Sequence, residues 1–568
     1  MNRKIIIILL VFVAALVAIF GAFAIYYKVQ IANAPTMQEI SEAYPWNVPD
    51  DWFKTDTITL KGRIEGYDAE KFGFSSMECS FDDVFENDRS TVLVLNIAED
   101  GTFCKKFLAS YPMQQVFYTT DSKVSFHSIP FFARPGETID VTVRKGSLGQ
   151  YECIYNNGSS KDVARWLRTS DKLANYFSPL WHFEGTFEEA NEVADMTWKM
   201  VMSKLQKLIR SEGYTPMEVQ LALADAQARF GQDYLGCIVK QADALVNHEK
   251  RDSLGRAEIL DSAEWKKYSD CKTYAPLRRI DFDNPLLFAS QHFYFLQNRI
   301  EYARPVATGS IVVTFENYSE QLTNYLAALR DLMGDDHDNL MAQLCAYKDF
   351  TFHFDTFRED GDSYQKMLTV VDNLTEEQKK KCIDGWPTLA KMLPLYLDIL
   401  KNPYIRQKAE QFRDRKLSQK DLTTPLPITP AADMIRELVA KYPGRFLVID
   451  FWGMNCGPCR AAIQESKKLR AQIAKRDDVK LIFIAEESTP DGSDAYKKYV
   501  AEWLAGEETF CVNNADFSRL QEMFGFNGIP HYETITPDCR RVTDNLRLHG
   551  YDSFFEQFEK LKEKLHHN

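Results

Sequence analysis

The chain has 568 residues, 45% of them hydrophobic and 26% charged, with a formal net charge of −13. That length exceeds what one hydrophobic core sustains and implies roughly two to four domains of ordinary globular composition. The acidic balance, with no basic patch interleaved with aromatics, argues against a nucleic-acid partner.

The first thirty residues stand apart. Arg3 and Lys4 precede an uncharged run from Ile5 to Tyr27, long enough to span a bilayer as a helix. Glu39, Glu42, Asp50 and Asp51 follow it, so the positive-inside rule places the bulk of the chain outside the cytoplasm, on the periplasmic side if the source is bacterial. A cleaved signal peptide is the alternative, with Ala22-Phe23-Ala24 as a small-x-small site, although the run exceeds the usual length of such a segment. The expectation is a transmembrane signal-anchor over 1–30, with the membrane as a partner. A tether follows over 31–55, marked by Pro35, Pro45 and Pro49.

Residues 56–158 read as a β-sandwich-like domain. TITLKGRIEGY alternates polar and apolar residues, VLVLNIAEDGTFCKKFLA reads as two strands around Asp100-Gly101, and Pro135-Gly136 precedes a strand from Thr138 to Arg144. From 160 to 420 the pattern turns helical. Segments 187–210, 217–247 and 318–334 show helical apolar spacing, broken at Gly213 and Thr215-Pro216, with no fixed-period repeat. The aromatics here, such as Trp166, Trp198 and Phe293, are expected in the core. Eleven cysteines make an odd number. Seven of them, from Cys79 to Cys382, lack motif spacing; most read as small buried hydrophobes, with one or two structural bridges, of a connectivity the sequence does not give, as the alternative. LTTPLPITP, residues 422–430, is a proline-punctuated linker before a last domain over 425–568.

That domain opens on FLVIDFWGMNCGPCR, residues 446–460, which holds the chain's one CxxC pair, Cys456 and Cys459. Phe446 to Phe451 is apolar enough for a buried strand apart from Asp450. From Arg460 onward, Ala462, Ser466, Leu469 and Ile473 fall on one face of a helix. A thiol opening such a helix meets unpaired backbone N–H groups and the positive end of the dipole, which favours the thiolate. Cys456, first in the pair, is therefore the expected attacking sulfur and Cys459 the resolving one. A zinc half-site is a competing reading, but it needs a second ligand pair, and Cys511 and Cys539 stand singly. A purely structural disulfide is another.

The stretch resembles the thioredoxin superfamily. The tetrapeptide Cys456-Gly457-Pro458-Cys459, the aromatic pair Phe451-Trp452, the acid Asp450 six positions before the first cysteine, and Gly528-Ile529-Pro530 some seventy residues on all match its pattern. The N-terminal run and the extra upstream domains point, within that superfamily, to the TlpA/ResA-like membrane-anchored thiol–disulfide oxidoreductases. The resemblance implies a proton-transfer role for Asp450 and a cis-proline at Pro530 that shapes the partner groove. It also implies that Gly457 and Pro458 set the turn, with Trp452 and Ile529 in support. The chain departs from the pattern in several places. Asn455 stands where a tryptophan is usual, and Ala462 and Gln464 replace a glutamate and a kink proline, so a straighter helix is expected. Cys539 replaces a turn glycine. His531 and Glu533 share one face of an unusually polar strand. They either tune the thiols or mark a solvent-facing edge.

The expected fold class is therefore multidomain: an N-terminal membrane helix, a β-sandwich-like domain, an α-helical middle region and a C-terminal α/β thioredoxin-like domain. The expected function is an extracytoplasmic thiol–disulfide oxidoreductase at the reducing end of the family. Its partners would be protein thiols and disulfides and an electron donor, with the Cys456–Cys459 disulfide as the redox group and no metal or further cofactor. An oxidase or isomerase is a variant of that reading. The alternative class is a binding or assembly protein in which the pair acts only as a redox switch.

Overall fold

Strand alternation and helical spacing translate directly into the architecture upstream of the redox motif. The computed structural model describes residues 32–86, 91–251, 257–307, 318–419, 421–487, 492–543, 546, 551 and 553–566. Among these, eight strands build two four-stranded sheets: β1 (Asp56–Ile64), β2 (Ser76–Phe81), β3 (Thr91–Asn96), β4 (Thr102–Ala109), β5 (Met113–Tyr118), β6 (Ser128–Ala133), β7 (Thr138–Lys145) and β8 (Tyr151–Tyr155). The sheet orders are β4-β1-β7-β8 and β3-β2-β5-β6. Phe107 on the first sheet meets Phe81 and Phe131 on the second edge-to-face, at ring-centroid distances of 5.4 and 6.1 Å, so the inner faces interdigitate.

The helices that follow include α1 (Phe187–Glu212) and α2 (Pro216–Ala244), which end and begin around Gly213 and Thr215. A hairpin interrupts the helical stretch, β9 (Val246–Arg251) with β10 (Ala257–Ile259). One contiguous apolar cluster runs from Ile40 to Phe412, joining sandwich and helices without a break in the core.

The expected fold class needs correction at its first element. Among the described residues no helix is long and apolar enough to cross a membrane, and the run from Ile5 to Tyr27 lies outside them. The longest described helix shows why none of them qualifies. Over 29 residues α2 carries Glu218, Asp225, Arg229, Asp233 and Lys240, a pattern suited to packing against protein rather than lipid.

The C-terminal unit has its own core. Its strands are β11 (Thr423–Pro425), β12 (Phe446–Trp452), β13 (Val479–Glu486), β14 (Glu508–Val512), β15 (His531–Ile535) and β16 (Arg540–Val542), in the order β11-β16-β15-β12-β13-β14. β12 runs parallel to β13 and antiparallel to β15. The stretch read as linker thus contributes an edge strand, where Pro425 is tolerated. Two helices, α3 (Pro430–Lys441) and α7 (Asn514–Phe524), cover one face with Leu447, Ile449 and Phe451. The other face holds Val448, Trp452 and Tyr532 against α4 (Gly457–Glu465), α5 (Lys467–Ile473), α6 (Asp494–Trp503) and α8 (Phe554–His566).

Candidate functional site

The strict alternation of β12 sets the site, because it decides which side chains face the helix that carries the thiols. Asp450 and Trp452 point to the same face as α4, while Ile449 and Phe451 point away from it. Past Trp452 the chain turns, and Cys456 becomes the N-cap of α4, with Gly457 and Pro458 in its first turn. The Cys456 sulfur accepts the N–H of Cys459 at 3.1 Å, so one of the helix's unpaired donors points at it. Cys456 and Cys459 are joined as a disulfide, and among the described residues no other cysteine is so joined. The two sulfurs differ in access: Cys456 is half-buried and Cys459 is 1% exposed. The Ile529–Pro530 peptide is cis, and the Ile529 carbonyl oxygen lies 3.7 Å from the Cys456 sulfur.

On the face of β12 that α4 covers lies Asp450, 2% exposed, with its Oδ2 accepting the Tyr551 hydroxyl at 2.7 Å and its Oδ1 without a partner among the described residues. Burial pushes the Asp450 carboxyl up to about 7, against the pull of the Tyr551 hydroxyl and of the Arg470 charge. Arg470 is itself buried. It donates to Glu507 at 2.7 Å and to the carbonyls of Trp503 and Ile463 at 2.9 and 3.1 Å, so its charge is compensated within the fold. Trp452 packs its ring against Tyr496 and Tyr499 at centroid distances of 5.6 and 5.4 Å, closing the apolar wall beside the acid.

No protein-family model and no curated protein sequence matches this chain. Several solved structures share part of it. The thioredoxin domain of a thiol–disulfide oxidoreductase from Bacteroides vulgatus is 20% identical over 21% of this chain and 82% of its own, with a TM-score of 0.18. A thiol:disulfide interchange protein from Bacteroides sp. is 17% identical over 21% and 74%, at 0.17. A thiol–disulfide oxidoreductase from Bacteroides fragilis is 15% identical over 20% and 82%, at 0.18. The C-terminal unit is thioredoxin-like. The mixed sheet with the CxxC strand at its centre and helices on both faces carries that description.

Within this thioredoxin-like unit the other sequence-singled residues fall into two groups. Asn455 is exposed beside the pair, in place of an apolar contact surface. His531 and Glu533 lie on the opposite face of the sheet from Asp450, since they stand across from Phe451 and Ile449 in the antiparallel register. Their strand is interior, paired on both sides, so it is no solvent-facing edge. Glu533 is fully buried and held by three charge-assisted bonds, from Arg541 at 2.7 and 2.9 Å and from His531 at 2.8 Å. His531 stacks on Phe526 at 4.0 Å, which fixes the chain just before the Ile529–Pro530 loop. The helix after the pair also departs from the straight run expected. It divides at Ser466, whose hydroxyl donates back to the Ala462 carbonyl at 2.5 Å, a bond that bends helices without any proline. Sequence reasoning missed Tyr551 and Arg470. Arg470 sits beside Leu469 on a face read as apolar, and Tyr551 lies 101 residues beyond Asp450, with no local pattern to connect the two.

Proposed function

We propose that the C-terminal unit is a thiol–disulfide oxidoreductase that reduces disulfides of partner proteins, fed by a protein dithiol as electron donor. The observation that carries this reading is the asymmetry of the pair, whose helix covers the face of the sheet that also holds a buried acid. In the reducing direction the half-buried Cys456 thiolate attacks a partner disulfide, forming a mixed disulfide and releasing one partner thiolate. The buried Cys459 loses its proton to Asp450, attacks the Cys456 sulfur, and expels the second partner thiolate. The enzyme dithiol has then become a disulfide and the partner disulfide two thiols. An acid titrating near neutrality suits that transfer, because a base is most effective when its pKa lies near the working pH. Work outside the cytoplasm belongs to the same proposal and is supported by the uncharged run from Ile5 to Tyr27 in the sequence.

The test is trapping combined with turnover. Cys459→Ser should hold partners as mixed disulfides through Cys456 that a thiol reductant releases. The intact chain with dithiothreitol should reduce insulin disulfides, and Cys456→Ser should abolish that activity. Failure of insulin reduction together with absence of trapped partners would overturn the reading.

A second reading, in which the pair switches the binding of a partner by the large upstream body, is supported by a polar contact between the two. Ser518 on α7 donates to Glu78 on β2 at 2.5 Å, and Arg519 donates to Asn96 at 2.9 Å. On that reading Cys456→Ser leaves partner binding intact and removes only its redox dependence.

A further inference from the structure

Tyr551 combines three features that packing alone does not call for. Its side chain is 0% exposed, its backbone sits in the left-handed region at φ 68°, and its hydroxyl donates to a carboxylate that no other donor reaches among the described residues. A bulky residue in that region costs about 1 kcal/mol or more and persists only where the surroundings fix it, which makes such outliers markers of function. The Asp450 carboxylate is therefore anchored at one oxygen and open at the other.

The geometry points to Tyr551 as a positioning residue for the proton transfer at Cys459: its hydroxyl pins Oδ2 of Asp450 and leaves Oδ1 as the oxygen that exchanges a proton with the resolving thiol. This rests on the oxidoreductase reading above and adds to it the group that orients the acid. In the step itself the Cys459 S–H proton passes to Oδ1 and the Cys459 thiolate attacks the Cys456 sulfur. The Cys456–Cys459 bond forms as the bond from Cys456 to the partner sulfur breaks, and the electron pair leaves on that sulfur as a thiolate. The proton stays on Asp450 until a dithiol donor returns the pair to its reduced state. Tyr551 keeps its own proton throughout, since burial holds its phenol well above the ordinary range.

The groups that face Asp450 come from every element packed on it. They are Tyr551 from the segment before α8, Arg470 from α5 with its partner Glu507, and Tyr532 from β15, while Cys459 of α4 belongs to the core on the same face of the sheet. Phe483, across β13, is apolar. Of the polar groups, Tyr551 alone hydrogen-bonds the carboxylate among the described residues, so removing its hydroxyl removes the one donor that favours the charged form.

The experiment compares the full chain with Tyr551→Phe, Asp450→Asn and the double variant. An infrared pH titration of the oxidised proteins follows the carbonyl band of protonated Asp450, identified by its loss in Asp450→Asn. In Tyr551→Phe the midpoint should move up by about one pH unit, the acid limb of insulin reduction should move with it, and reduction at pH 7 should slow by up to about tenfold. Added to Asp450→Asn, the same change should slow the reaction no further, because the two act as one unit. An unmoved carbonyl midpoint overturns the proposal. So does a Tyr551→Phe effect that is as large in the Asp450→Asn background as in the wild-type chain, which is what a packing role alone would produce. If the wild-type chain reduces no insulin and Cys459→Ser traps no partner while the midpoint still moves, the oxidoreductase reading falls and the anchoring of Asp450 by Tyr551 stands.

Discussion

Asp450 is where one residue changes the balance of the whole site. Its carboxyl rises from an ordinary 3.8 to about 7 because charge is costly inside an apolar wall. Between roughly pH 4 and pH 7 the folded chain therefore holds a proton that the unfolded chain releases. Stability falls as pH climbs through that window, and by pH 8 the full cost of the buried charge is present. Asp450→Asn keeps the shape and still accepts the Tyr551 hydroxyl, so it should raise stability at pH 8 by about 2–4 kcal/mol and flatten the pH dependence. Thermal melts of the oxidised full chain at pH 4.5 and pH 8 check this; equal melting temperatures for wild type and Asp450→Asn at pH 8 would contradict it. The same substitution should slow disulfide reduction, so stability and activity move in opposite directions at one residue. Asp450, Cys456 and Cys459 were legible in the sequence because strand, turn and helix start are contiguous and their alternation can be counted. Tyr551 was not, since its role depends on a left-handed backbone and a contact across the fold that no periodicity announces. The placement of His531 and Glu533 was open for a related reason: alternation says they share a face, while only the register with β12 says which face.

At the scale of elements, two helices begin with the same sequence signature and different consequences. Both α1 and α2 carry a capping box, Thr186 with Glu189 and Thr215 with Glu218. Glu189 is exposed and serves its own helix. Glu218 is fully buried and accepts from the Thr215 N–H at 2.8 Å, from the Arg165 N–H and guanidinium at 3.0 Å each, and from the Trp166 N–H at 3.2 Å. One carboxylate thus caps α2 and ties it to the segment entering the helical region. Glu218→Ala should cost about 3–5 kcal/mol, since it strands buried donors and an arginine beside them. Thr186→Ala should cost only about 1 kcal/mol, the ordinary value of an exposed cap. Denaturant unfolding of both variants tests the contrast, and similar losses would show that the buried network adds nothing to the local cap. The signature itself is readable from residue types at fixed offsets. The difference in burial is not, because it arises from Arg165 and Trp166, which approach from some fifty residues upstream.

For the whole molecule, the question is how the thioredoxin-like unit is held against the body it follows in the chain. Its cores are separate from the large cluster that unites sandwich and helices, so no continuous apolar interior runs through both. The contact runs along α7 and strands β2, β3 and β4, where Val92 and Val94 of β3 are buried outside the large cluster and a set of polar pairs surrounds them. The polar pairs are Ser518 with Glu78, Arg519 with Asn96, Asn527 with Ser80 at 3.4 Å, and an ion pair between Lys105 and Glu522. Asn527 precedes the Gly528-Ile529-Pro530 loop, so this contact also steadies one wall of the redox site. Interfaces of this kind are weaker than cores and open more readily. No sequence pattern announces the contact, because each member is an ordinary surface residue until the two units meet. If the ion pair helps hold them, Glu522→Lys places two cations together and should weaken the contact by about 1 kcal/mol, roughly a fivefold faster opening. Lys105→Glu in the same chain reverses both charges and should restore it. Hydrogen exchange along Thr91–Asn96 and Asn514–Phe524 reads the effect directly. Unchanged exchange in Glu522→Lys would mean that the uncharged contacts suffice, whereas accelerated exchange rescued by the double reversal would assign the hold to this pair.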